Sequence, residues 1–195
     1  MQNGLREGVG SGRICSVDTV NGVWAVEVAA PSEPEAAAVL RDYLAEMISR
    51  YYGRETDDAE IDRHLRAGHD SDDLVPPSGL LLLARRSGAV VGCVGLRRVD
   101  EATAELTRMF IRGDARGEGG AALLLAAADR SARELEVRSI RLNTRGDLVE
   151  ARALYAKHGY VEVPPFGDDP LAEYWFEKVL GVGAAVEAQG GDGRE

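Results

Sequence analysis

Apolar and polar residues alternate along this chain in patterns that predict short strands and amphipathic helices. In Val23–Val28, Trp24 and Val26 fall on one face at a spacing of two, which is typical of a strand with one buried side. In Glu35–Tyr52, apolar residues recur at near-helical spacing, which predicts an amphipathic helix. Asp57–Ala67 has the pattern of a second, shorter helix. The chain is therefore expected to begin its fold with one strand and two helices.

The remainder of the chain predicts more strands than helices. Ser87-Gly88 separates the apolar runs Leu80–Arg85 and Val90–Val99, as the turn of a β-hairpin would. The elements that follow are, in order, a strand at Ala102–Ile111, a helix that begins after a glycine-rich turn and runs to about Val137, a strand at Ser139–Asn143, a helix at Leu148–His158, and strands at Tyr160–Val163 and Ala172–Leu180. The order β-α-α-β-β-β-α-β-α-β-β predicts an α/β fold in which one mixed sheet carries helices on its faces.

Length and composition favour one domain. A chain of 195 residues with 45% hydrophobic side chains is long enough for one well-buried core and short for two. Both ends, residues 1–20 and 181–195, contain glycine-rich stretches without periodicity and are predicted to be flexible. The folded domain is therefore expected to span residues 21–180.

Charge and cysteine content argue against several classes of partner. A formal net charge of −10 disfavours nucleic acid and membranes, because both present negative charge. The same charge would favour cationic substrates such as amines, although solubility alone also explains it. Cys15 and Cys93 are too few for a disulfide framework or a zinc site, and we expect no metal. Because no signal sequence or membrane-length apolar run is found, we expect a cytoplasmic protein.

The segment 109–135 contains a strand that runs through glycines directly into a helix. Backbone N–H groups at a helix start have no partner within the helix, and the helix dipole adds partial positive charge there. Gly117, Gly119 and Gly120 leave room for an anion, and Arg116 adds a formal charge. The pattern thus favours a phosphate-binding turn, although glycines that only reverse the chain would look the same. It does not match the known dinucleotide or mononucleotide motifs.

One stretch of this turn resembles the coenzyme A signature of the GNAT (GCN5-related N-acetyltransferase) superfamily. Its residues are Arg116-Gly117-Glu118-Gly119-Gly120-Ala121. The segment 104–117 is similar to the strand and loop that feed this signature, although the family often has Pro where Gly113 stands. Residues 150–163 resemble the family's later motif, with matches at Ala151, Leu154, Tyr155, Gly159 and Tyr160. The likeness covers residues 23–180 in the order of elements that the family shows.

This resemblance implies the GNAT fold, in which the sheet is splayed open between the fourth and fifth predicted strands. Acetyl-CoA is then the implied co-substrate, with its pyrophosphate on the amides of Gly117, Glu118, Gly119, Gly120, Ala121 and Ala122 and its pantetheine arm along the backbone of Met109, Phe110 and Ile111. One coenzyme contact departs from the family, because Leu148 stands where an Asn is common. Asn143 is expected either to compensate for that contact or to form a turn with Thr144.

Two side chains are candidates for acid and base catalysis by resemblance. Glu105 lies on the strand that leads to the glycine turn, similar to the place of the general-base glutamate in the histone acetyltransferase branch; a solvent-facing strand glutamate is the alternative. Tyr155 matches the tyrosine that points at the coenzyme's sulfur in the family, and a phenol with a pKa of about 10 can protonate a thiolate. A tyrosine that only packs in the core is the alternative. A backbone N–H near Met109 is the expected oxyanion donor.

The expected acceptor is a small-molecule primary amine, such as an amino acid or a related metabolite. If the strand bulges between Glu105 and Arg108, both side chains look into the cleft. Arg108 then either pairs with Glu105 or binds a substrate carboxylate. Two other functions stay open: acetylation of protein lysines or N-termini, and a non-catalytic regulatory module that binds acetyl-CoA. A homodimer is compatible with each of these three functions.

Overall fold

The computed structural model describes residues 18–20, 23–66, 71 and 73–181. Its elements in chain order are β1 (Asp18–Val20), β2 (Trp24–Ala29), α1 (Pro34–Tyr52), α2 (Asp58–Arg66), β3 (Gly79–Arg86), β4 (Ala89–Arg98), β5 (Thr103–Ile111), a 3-10 turn (Gly113–Ala115), α3 (Gly120–Glu134), β6 (Ser139–Thr144), α4 (Val149–Lys157), β7 (Val161–Val163) and β8 (Tyr174–Val179). None of these helices is long and apolar enough to cross a membrane.

The strands form one mixed sheet in the order β1-β2-β3-β4-β5-β6-β8-β7. All neighbours are antiparallel except β5 and β6, which are parallel. Their ladder joins only Thr103–Glu105 to Ser139–Arg141. Past these residues the described parts of β5 and β6 diverge, which opens the sheet at the place where the splayed cleft was expected. The predicted fold class is thus confirmed.

Both faces of the sheet are covered, and the alternation within β3 shows how. Leu80 and Leu82 pack in the cluster that contains the buried face of α3, whereas Leu81 and Leu83 pack in the cluster that contains α1. Continuous apolar strands of this kind are expected where helices lie on both sides. Cys93 is buried in the α1 cluster, as predicted, and burial raises the pKa of its thiol to about 12.

Several predicted boundaries differ from the structure. The segment predicted as a flexible arm, residues 1–20, includes β1, which pairs with β2. Residues 1–17 lie outside the described residues, as do 182–195 of the predicted C-terminal segment. Helix α3 ends at Glu134 rather than near Val137, because Glu136 adopts a φ of 59° that a right-handed helix cannot contain. Tyr160 joins the core instead of starting β7.

Candidate active site

A cavity of about 950 Å³ lies along the divergence of β5 and β6. Its wall includes residues of α1, β5, the turn before α3, β6 and α4. The predicted site residues that line it are Glu105, Arg108, Met109, Phe110, Ile111, Arg116, Gly117, Gly119, Gly120, Ala121, Ala122, Asn143 and Tyr155. Glu118 does not line the cavity, and its carboxylate pairs with Arg86 at 2.6 Å. Tertiary folding therefore brings all but one of the predicted residues to one cleft.

The turn before α3 has the geometry of an anion cradle. Gly117 and Gly119 have φ angles of 79° and 92°, and no heavy atom lies within 4 Å of where a side chain would begin at either position. Gly119 caps α3 without a side-chain hydrogen bond, and the first turn of α3 carries no acidic residue. The first amide that bonds back to the cap is that of Leu123, at 3.2 Å from the Gly119 carbonyl. The amides before it have no acceptor within α3, as at any helix start, and such amides suit an external acceptor such as a phosphate.

Gly120 has a different reason to be glycine. A Cβ at this position would lie 2.5 Å from the ring of Trp24 and 3.2 Å from a methyl group of Ile111. Gly120 therefore lets the start of α3 pack against β2 and the end of β5. Open space where a side chain would begin is found at Gly117 and Gly119, whereas at Gly120 that space is taken by Trp24 and Ile111.

The charge of Arg116 is partly compensated by a contact that the local sequence does not reveal. Its Nε donates to the Ile111 carbonyl at 2.8 Å, which holds the side chain against the end of β5. One of its terminal nitrogens donates to the Glu46 carboxylate on α1 at 2.5 Å. Glu46 also lines the cavity. Arg116 therefore lies at the anion cradle but is already engaged by an acidic side chain.

Strand β5 contains a bulge, but not where it was expected. Cys93 pairs with Phe110 and Gly95 pairs with Thr107, so Arg108 and Met109 together face one residue of β4. Arg108 has a φ of 54°, a left-handed conformation that is uncommon outside glycine. The bulge thus lies at Arg108 itself rather than between it and Glu105.

The bulge turns Arg108 toward α1. Its guanidinium donates to the Ser71 hydroxyl at 3.3 Å and the Thr107 hydroxyl at 3.1 Å, and its carbon lies 5.8 Å from the centre of the Tyr43 ring. The pKa of the Tyr43 phenol is raised, mainly because the side chain is buried. Arg108 and Tyr43 together form part of the cavity wall.

Glu105 lies directly opposite Arg97 in the β4–β5 ladder. Arg97 donates to its carboxylate at 2.8 Å and also pairs with Asp73 at 3.0 Å. Arg141 lies 3.9 Å away on its other side. Among the described residues, Glu105 forms its ion pairs with Arg97 and Arg141 rather than with Arg108. The Glu105 side chain is 19% exposed and borders the cavity, unlike a solvent-facing strand glutamate.

Tyr155 is the one buried residue of α4, and it also lines the cavity. Its ring packs 5.7 Å from that of Tyr160 and 6.1 Å from that of Phe176. Burial raises the pKa of the Tyr155 phenol well above its usual range, so the hydroxyl is protonated at neutral pH. Tyr155 thus has both the packing of a core residue and the exposure to the cleft that acid catalysis needs.

Asn143 and Leu148 both border the cleft. Asn143 lies within β6 and pairs with Trp175 of β8, so it is not a turn residue. Leu148 precedes the first residue of α4. Sequence reasoning missed Tyr43, Glu46 and Arg97, because the helix pattern of α1 marks only its buried face and the partner of Arg97 depends on strand register.

Three comparisons with known proteins indicate one family. The profile of the Acetyltransferase (GNAT) family matches residues 40–160. An IAA acetyltransferase from Azospirillum brasilense is 35% identical over 133 residues, which span 62% of this chain and 86% of that protein. A candidate acyl-CoA N-acyltransferase from Klebsiella pneumoniae has a similar structure, with a TM-score of 0.61, 27% identity, and 82% of this chain and 99% of that chain covered.

A further structure shows the fold alone. The PaiA N-acetyltransferase of Thermoplasma acidophilum, solved in complex with coenzyme A, aligns with a TM-score of 0.61 at 17% identity, over 79% of this chain and 98% of that one.

Proposed function

Since this chain belongs to the acetyltransferase (GNAT) family and is an acetyl-CoA-dependent acyltransferase, we propose that it acetylates the primary amine of a small molecule, such as an amino acid or a related metabolite. The anion cradle at the start of α3 is the observation that carries this proposal. The same cavity also contains Glu105, Tyr155 and the part of β5 beyond its ladder with β6, which pairs with no described strand on that edge. The pyrophosphate would lie on the cradle and the pantetheine along β5, whose edge would pair with it much as with an added strand.

The residues present suit each step of acyl transfer. The neutral amine attacks the thioester carbonyl, the new C–N bond forms, and the C–S bond then breaks. A backbone N–H near Met109 would bind the oxyanion. Glu105 would take the proton that the amine loses, directly or through water, and Tyr155 would give one to the departing thiolate. A typical ammonium has a pKa of about 10, so freeing its proton at pH 7 costs about 4 kcal/mol, and a nearby carboxylate reduces this barrier.

The acceptor would lie at the end of the cavity that contains Glu105 and Arg108. A guanidinium in that wall suits a substrate carboxylate, which it can bind with two parallel hydrogen bonds. This is the reason to favour an amino acid or a related acid. The expected cytoplasmic location and a homodimer remain predictions.

Measuring free coenzyme A released from acetyl-CoA over a panel of acceptors would test the proposal. The panel would contain amino acids, their decarboxylated amines, the IAA of the relative's name, and peptides with free lysine or N-terminal amines. Turnover with small amines supports the proposal. Turnover confined to peptides would favour protein acetylation, and acetyl-CoA binding without turnover on any acceptor would favour a regulatory module.

A further inference from the structure

A chain of ion pairs crosses the cavity wall along α1. On one side Glu46 accepts from Arg116, beside the anion cradle, and on the other Arg50 pairs with Glu150 of α4 at 2.5 Å. Glu46 and Arg50 are one helical turn apart, and their charged groups are separated by 3.9 Å. All four residues border the cavity. Helix α1 is thereby connected by charge to both sides of the cleft that would hold the coenzyme.

The position of Glu46 conflicts with an anionic ligand. The Nε of Arg116 donates to the Ile111 carbonyl at the end of β5, so the terminal nitrogens are the donors that remain for a phosphate. Glu46 already accepts a hydrogen bond from one of these nitrogens. A diphosphate on the cradle would bring negative charge next to the Glu46 carboxylate. Coulomb repulsion at such separations is appreciable near a partly buried surface. Glu46 has a second cation within reach, because Arg50 lies on the same helix.

Resting on the proposed function, we propose that Glu46 is an internal competitor of the coenzyme's diphosphate for Arg116. When acetyl-CoA binds, Arg116 exchanges the Glu46 carboxylate for phosphate oxygens and Glu46 turns to Arg50. The exchange links coenzyme binding to α1, which also supplies Tyr43, Met47 and Tyr51 to the cavity wall. Glu46 is thus a positioning residue that acts through Arg116.

The Glu46→Gln variant tests this competition because amide and carboxylate have nearly the same shape. Acetyl-CoA affinity, measured by calorimetry, should rise about three- to fivefold, the size expected for a partly exposed ion pair. Pantetheine, which lacks the diphosphate, should bind wild type and variant equally. Asp42→Asn is the matched control, since Asp42 on α1 pairs with Arg112 at 2.6 Å and neither residue borders the cavity; its acetyl-CoA affinity should equal that of wild type.

A double-mutant cycle with Arg116→Gln supplies a second measurement. If the two residues compete as proposed, the gain from Glu46→Gln shrinks when Arg116 is absent. Unchanged or weaker acetyl-CoA binding by Glu46→Gln, or an equal gain for pantetheine, would overturn the inference. The proposed function would still stand in that case. It fails instead if wild type does not bind acetyl-CoA, or if wild type releases coenzyme A with none of the small amines of the acceptor panel.

Discussion

The guanidinium of Arg97 on β4 donates a hydrogen bond of 2.8 Å to the carboxylate of Glu105, directly opposite on β5. Arg97 is itself held by Asp73 at 3.0 Å. The carboxylate proposed as the general base is therefore fixed in direction, with one oxygen bound to Arg97 and the other 3.9 Å from Arg141. Such positioning lowers the entropy lost when a substrate proton is transferred.

Replacing Glu105 by Gln should slow amine acetylation by about a hundredfold at pH 7, within the range of general base catalysis. The loss should diminish as pH rises toward the amine's pKa of about 10, because the acceptor then arrives already neutral. Steady-state rates over pH, at saturating acetyl-CoA, would show this. Glu101→Gln, in the exposed turn before β5, is the control. A pH-independent loss would contradict a proton-transfer role.

Replacing Gly119 by Val should weaken acetyl-CoA binding by about tenfold or more, since the new side chain would stand in front of the cradle amides and strain a φ of 92°. Calorimetry measures the affinity. Gly88→Val is the control that separates backbone strain from obstruction of the cradle. Gly88 has a φ of 88° in the β3–β4 turn and does not border the cavity. Equal affinities for wild type and the Gly119 variant would place the pyrophosphate elsewhere.

Removing the Tyr155 hydroxyl in Tyr155→Phe should lower kcat by about a hundredfold and leave acetyl-CoA affinity nearly unchanged, because the proton matters when the thiolate departs. Tyr160→Phe is the matched control: Tyr160 is buried beside Tyr155, and its hydroxyl has no hydrogen-bond partner among the described residues. Turnover and calorimetry together decide the role. Similar losses in kcat and in affinity would point to packing alone.

The role of Arg108 can be read from substrate preference. Wild type should prefer an amino acid to its decarboxylated amine, and Arg108→Ala should lose that preference. Arg108→Lys keeps the charge without the paired donors, so it should recover only part of the preference. The measurement is kcat/KM for both compounds with all three proteins. If the Ala variant slows both compounds equally, Arg108 does not bind a carboxylate.

Helix α2 should contribute a pH-dependent stability through Glu60. The Arg54 guanidinium, at 2.8 Å, and the Thr56 hydroxyl lower the pKa of Glu60 from 4.5 to about 2. Because the folded-state pKa is the lower one, the stabilisation is present above pH 4.5 and is lost as pH falls toward 2. Glu60→Gln should therefore lower Tm at pH 7 and differ progressively less from wild type below pH 4.5. Glu55→Gln, exposed nearby, should follow wild type throughout.

The order of elements and the glycine turn before α3 could be predicted from the sequence because both depend on local patterns. A spacing of two or of three to four marks strands and helices through the geometry of neighbouring residues alone. Glycines at a strand-to-helix junction make that turn a candidate anion site because helix amides there lack partners. Tyr155 could be named as a candidate, and its place on the cavity wall expected, because it lies inside a short motif that resembles the family's own.

The tertiary structure decided the contacts between residues that lie far apart in the chain. Arg97 meets Glu105 through the β4–β5 register, and Glu46 meets Arg116 across 70 positions. Gly120 is glycine because Trp24 lies against it, and the bulge at Arg108 is a shift in the β4–β5 register. Each of these contacts depends on strand register or on how the helices pack against the sheet. These are set by packing the whole core, so no local window of sequence contains them.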